Sequence, residues 1–177
     1  RHSQDDGRRI TESEQIGYGF QPLLGVQLAF NQVWGGDLSV QTRWDKKGSF
    51  SLNTAASNIV EDNTDEFSLT AEFKKAGFEM PLFGLALKND IQFTLAFTLN
   101  KTASRIYAVD ALNGGGQPRE GITRTSIEPR VRYSISQRVQ ASLFYRYQRT
   151  SPDADVGSRI PGSTTHEGGL EMRITIA

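Results

Sequence analysis

The chain has 177 residues, with 20 basic and 20 acidic side chains, two histidines and no cysteine. Zero net charge excludes a global field that would gather nucleic acid or an anionic membrane surface, and the missing cysteine excludes disulfides, a thiolate nucleophile and a zinc–thiolate site. Hydrophobic residues make up 37 % and mean hydropathy is −0.46; no apolar run nears the ~20 residues of a membrane helix, whereas a membrane β-barrel shows lipid only every second residue and is compatible with both values.

In chain order, "RHSQDDGRRITESEQ" has no initiator Met and no apolar leader, so a processed chain or a fragment is expected, with a loop or linker over 1–15 and one sheet-forming region over 16–177. From there period-two alternation dominates, and no segment keeps a 3.6-residue apolar period. The pattern predicts eight strands. The first covers about Leu23 to Asn31, the second Asp37 to Lys46, the third Ser49 to Ala55 and the fourth Asp65 to Lys74. The fifth starts near Lys88 and runs to about Ala108, which absorbs a candidate extra strand at Arg105 to Asp110. The sixth and seventh are the hairpin on either side of Ser136-Gln137, and the eighth is His166 to Ile176. Pro129 falls inside the sixth, where it has no amide to donate, so a bulge or a broken ladder is expected there.

With eight strands, the joints Lys47-Gly48, Lys75 to Leu87 and Ser136-Gln137 share one end. Asn31 to Gly36, Ala56 to Thr64, Asp110 to Glu120 and Ser151 to Thr165 share the other. Short turns at one end and longer polar loops at the other match outer-membrane barrels, with Lys75 to Leu87 as the exception.

Alternation alone does not say which face is wet, because burial of one face gives the same pattern in a soluble sandwich. Three features favour a membrane. Several strands reach the ~9–11 residues needed to cross a bilayer at a tilt. The polar faces are rich in Ser, Thr, Gln, Asn and mixed charge, as a hydrated lumen would be. Trp44, Phe73, Tyr107, Tyr133, Tyr145 and Tyr147 lie toward strand ends, where barrels carry aromatic girdles.

Three stretches carry a family resemblance: "FQPLLGVQLAFNQVWGGDLSVQTRWDKKGSFSLN", "PLFGLALKNDIQFTLAF" and "TSIEPRVRYSISQRVQASLFYRYQRTSPDADVGSRIPGSTTHEGGLEMRI". In order and spacing they resemble the C-terminal part of the SprA/Sov family, over about Ile16 to Ala177. That family forms the outer-membrane translocon of the type IX secretion system and is linked to gliding motility. The resemblance implies an all-β, antiparallel up-and-down transmembrane β-barrel segment over 16–177. It would be the C-terminal wall of a much larger protein-conducting barrel in the outer membrane of a Gram-negative, Bacteroidota-like bacterium. Implied partners are lipid, the rest of the barrel, a plug, a lipoprotein, motor subunits and secreted cargo; no nucleic acid, cofactor, metal or enzymatic activity is implied. On this reading Arg43, Glu72, Glu128, Arg130, Arg132, Arg146, Glu171 and Arg173 face the lumen. Phe67, Leu69, Phe93, Leu95, Val131, Tyr133, Leu143, Tyr145, Met172 and Ile174 face lipid.

Other motifs carry less. Gly114-Gly115-Gly116 lacks the Lys-Ser/Thr and the strand–helix frame of a phosphate loop. Asp5-Asp6, Glu61-Asp62, Asp153 and Asp155 lack calcium-loop spacing. His166 beside Glu167, with Asp153 and Asp155 upstream, has no recognisable nucleophile to make an outer-membrane protease. "SRIPGSTTHEGG" reads as an extracellular loop with a partner or cargo contact as its functional alternative. The rival readings are a complete small outer-membrane barrel with a structural or adhesion role, whose narrow interior Ser39, Ser51, Ser68, Thr94, Ala96 and Ser142 would fill poorly, a soluble β-sandwich binding module, and a barrel enzyme such as an outer-membrane protease.

Overall fold

The computed structural model describes residues 13–54, 56–82, 85–109, 116–153 and 161–176. Seven strands form one antiparallel sheet in simple meander order: β1 Ser13–Val33, β2 Gly36–Asn53, β3 Asn58–Leu82, β4 Leu85–Ala108, β5 Gln117–Ser134, β6 Val139–Pro152 and β7 Ser163–Ile174. The all-β meander and the extension of β4 to Ala108 follow the sequence pattern. β1 and β7 do not pair, so the sheet is open at both edges.

Among the described residues the strand count is seven, not eight, because the second and third expected strands are one. Lys47-Gly48 is not a turn: Gly48 stays in register with Tyr18 of β1 and Asn63 of β3. A side chain on Gly48 would meet the Tyr18 ring and the Asn63 amide at 2.6 Å, so the tyrosine ring occupies the space that the glycine leaves. Two expected joints are also strand. Residues 58–64, polar enough to read as a loop, pair with β2 and β4 throughout. Most of Lys75 to Leu87 continues the β3–β4 ladder, past a bulge between Lys75 and Phe78. Gly77 relieves that bulge with φ 63, a left-handed value that glycine adopts at little cost. The expected linker boundary at residue 15 falls inside β1, and residues 117–120, expected in a loop, open β5.

These changes sharpen the sorting of the joints. At one end the strands are separated by two residues (34–35), two (83–84) and four (135–138); at the other by four (54–57), eight (109–116) and ten (153–162). The β1–β2 joint moves to the short end. Trp34 and Gly35 have φ 51 and 73, the pair of left-handed residues of a type I′ hairpin, whose twist suits the strands it joins. In the β5–β6 turn the Ser136 hydroxyl accepts from the amides of Arg138 and Val139 at 3.2 and 3.1 Å. At Pro129 the ladder to β6 is interrupted between Ile127–Tyr147 and Arg130–Phe144, with no register shift. The ladder is broken there, as expected, but there is no bulge.

Candidate functional site: a charged face opposite an apolar band

Side chains alternate along each strand, and directly paired residues share a face, so the register assigns every residue to one of two faces. One face collects Leu24 to Phe30 of β1, Leu38, Val40 and Trp44 of β2, and Phe67, Leu69, Ala71 and Phe73 of β3 at alternate positions. It continues with Ile91 to Leu99 of β4, Ile127 to Tyr133 of β5, Val139 to Tyr147 of β6 and Gly168 to Ile174 of β7. No acidic or basic side chain interrupts this band. All ten residues expected to face lipid lie on it, and all eight expected to face a lumen lie on the other face.

Burial is inverted relative to a soluble domain. Ser142, on the polar face, is 7 % exposed; its neighbour Leu143, in the apolar band, is 57 % exposed. Leu170, Met172 and Ile174 are exposed as well, and among the described residues no large side chain is fully buried. The sheet has no core of its own, and its apolar face is an uncovered patch. Tyr133 departs from its row: it is 4 % exposed, and its hydroxyl reaches the Phe78 carbonyl at 3.5 Å, so the β3–β4 hairpin beyond the bulge leans over it.

The band also crosses the whole sheet. On β2 the charge-free stretch spans Leu38 to Trp44, whose register rows lead to Leu170 and Thr164 on β7. On β7 the charge-free stretch spans Thr164 to Ile174 and so covers all of those rows.

The polar face is held by a ladder of mutual charge pairs. Glu128 of β5 accepts from Arg146 of β6 at 2.8 Å and from Arg130 at 3.2 Å, and Arg146 reaches on to Glu167 of β7 at 3.1 Å. Glu72 pairs with Lys74 at 2.7 Å and accepts from Gln92, which accepts from Arg132 at 3.5 Å. Arg43 bonds Asp45 at 2.8 Å. Each such exposed pair contributes a few tenths of a kcal/mol to about 1 kcal/mol, so the network orders the surface more than it stabilises it. Arg130 also sits over the Phe144 ring, 5.3 Å from its centroid, and that ring fills the place of a side chain at Gly169. A depression of about 330 Å³ opens at the short-turn end, lined by Asp37, Lys74, Gln92, Arg132 and Gln140 of this face.

Beyond the band, on the long-loop side, the same outer face carries a polar cluster on β3 and β4, beside Phe50 and Leu52 of β2. Tyr18 donates to Asn63 Oδ1 at 3.0 Å, Asn63 donates to Glu61 at 2.8 Å, and Tyr107 donates to the other Glu61 oxygen at 2.5 Å. The Tyr107 hydroxyl, then the Asn63 amide, hold the Glu61 carboxyl below its ordinary value, and the bond to Glu61 raises Tyr107. This network needs the register of β1, β3 and β4 together, which no single stretch of sequence reveals.

The rejected motifs are not assembled into sites. His166 lies in the outer-face row of Tyr147, where Nδ1 bonds the Tyr145 hydroxyl at 2.6 Å, while Glu167 points to the opposite face. Asp153 follows β6 directly, its amide donating to the Gly121 carbonyl at 2.8 Å. Asp5-Asp6, Gly114-Gly115 and Asp155 lie outside the described residues, as does most of Ser158 to Gly169's leading loop. Among the described residues no three His, Cys, Asp or Glu side chains converge to hold a metal ion.

No known protein-family model matches the chain, and a search of curated proteins finds no match. Among the described residues no helix is long and apolar enough to cross a membrane, and the antiparallel strands are compatible with an outer-membrane β-barrel.

Proposed function

We propose that this chain is a wall segment of a large outer-membrane β-barrel, with the apolar band against lipid and the charged face lining a hydrated lumen through which protein cargo leaves. The observation that carries the reading is the inversion at Ser142 and Leu143, within a charge-free apolar band that crosses all seven described strands. The resemblance to the SprA/Sov translocons of type IX secretion supplies the finer assignment. The wall itself does no chemistry on this reading: it is a passive conduit, and the energy for export comes from other subunits.

The strand parity favours a larger barrel over a complete small one. With seven described strands β1 and β7 run the same way, so closing them on each other would need a parallel seam in an otherwise antiparallel barrel. Spin labels at Gln27 of β1 and Thr165 of β7, in the membrane-inserted full chain, test this. Six strand spacings of ~4.8 Å put them about 29 Å apart along an open wall. A distance near 10 Å would mean a closed small barrel and would overturn the wall reading.

A further inference from the structure

We infer that the border of the apolar band on the long-loop side is a lipid-phosphate contact, in which Lys46, Lys101 and Arg149 take the phosphates of anionic headgroups; the inference rests on the membrane reading above. Following the outer face toward the long loops, the first charged side chain is Lys46 on β2, Asp65 on β3, Lys101 on β4 and Arg149 on β6. Arg149 lies one row nearer the band than Lys46 and Lys101; its partners on β5 and β7 are Thr125 and Thr164, and the β5 partner of Lys101 is Thr123. The cations therefore stand on alternate strands, about 10 Å apart between neighbours. Trp44 and Phe67 lie one row inside Lys46 and Lys101 and in the row of Arg149, where interfacial aromatics belong.

Three contrasts point to an external anion. On the polar face, Arg43, Lys74, Arg130 and Arg146 are all within 3.2 Å of a carboxylate. Along the border the one acid, Asp65, lies 3.9 Å from Lys46 and is the register partner of Lys101, so one carboxylate stands between two cations, and Arg149, three strands from it, has no acid in its own register row. At the opposite border of the band Lys75 is already committed, its Nζ donating to the Trp34 carbonyl at 2.9 Å. Lys101 and Arg149 are exposed and the Lys46 side chain is 43 % exposed; Arg149 commits Nε to Ser151 Oγ at 3.1 Å. Long side chains at this level extend from the edge of the hydrocarbon to the headgroups, where charge-assisted bonds to phosphate oxygens form.

The test is lipid selectivity of the full chain in nanodiscs, read from the motionally restricted spectrum of spin-labelled phosphatidic acid against spin-labelled phosphatidylcholine. The wild type should prefer phosphatidic acid, and Lys46→Gln, Lys101→Gln and Arg149→Gln should each lower the preference by up to about fivefold. The triple variant should approach no preference with the same number of restricted lipids. Lys46→Arg with Lys101→Arg should keep the preference, and Arg130→Gln on the polar face should leave it unchanged. Inorganic phosphate at constant ionic strength should not displace the lipid; displacement would overturn the lipid assignment. A preference that survives the triple variant would overturn the inference while leaving the membrane reading intact. Absence of any restricted lipid would overturn both.

Discussion

At Ser142 and Leu143 two adjacent side chains occupy the environments that water would assign the other way round. The alternation that separates them was legible in the sequence, because period two needs no knowledge of neighbours. Its consequence is measurable on β4. Leu95→Arg, in the middle of the band, should cost about 2–4 kcal/mol of folding stability in vesicles, whereas Thr94→Arg on the polar face should change it by less than about 0.5 kcal/mol. Equilibrium unfolding of the two variants in the same lipid checks the difference. The Glu61–Tyr107 pair makes a second prediction at this scale. Glu61 has a lowered folded value, so its contribution is complete above the ordinary 4.5 and is lost as pH falls through that lower value. Tyr107 has a raised value, so its contribution is present below 10.0 and is lost as pH rises through the raised value. Tyr107→Phe should move the Glu61 titration up toward 4.5, read from its side-chain carbonyl resonance. That pair was not legible, since Glu61 looked like solvated loop charge until β3 and β4 were in register.

Strand boundaries were the least legible elements, and the reason is local. Glycine and polar runs read as turns, yet Gly48 stays extended under the Tyr18 ring, and residues 58–64 find their partners on adjacent strands. The same geometry separates glycines that tolerate a side chain from those that do not. At Gly36 a methyl group would lie 2.4 Å from the Lys74 carbonyl oxygen, a backbone atom that has no freedom to move aside. Gly36→Ala should therefore cost about 1–3 kcal/mol by thermal or denaturant unfolding. At Pro129 the broken ladder retains its register, so Pro129→Val should restore an amide without shifting the strand. A gain of about 0.5–1.5 kcal/mol and new hydrogen-exchange protection at residue 129 are the expected results.

For the molecule as a whole, the sequence carried the meander and the two faces, but not the strand parity, because one misread glycine changes the count by one. Parity decides what the sheet can be. Seven antiparallel strands leave two unpaired edges, and an exposed apolar face cannot serve as the core of a sandwich with only one layer present. Further strands at the edges and lipid on the band satisfy both demands at once. The most direct measurement is a single-cysteine scan of β4 from Ile91 to Asn100 in the membrane-inserted full chain, which has no cysteine in this segment of its own. A water-soluble, membrane-impermeant maleimide should label Gln92, Thr94, Ala96, Thr98 and Asn100, and a lipid-phase reagent should label Ile91, Phe93, Leu95, Phe97 and Leu99. Equal labelling of both sets, or the reverse pattern, would contradict a lipid-facing band and a wet charged face.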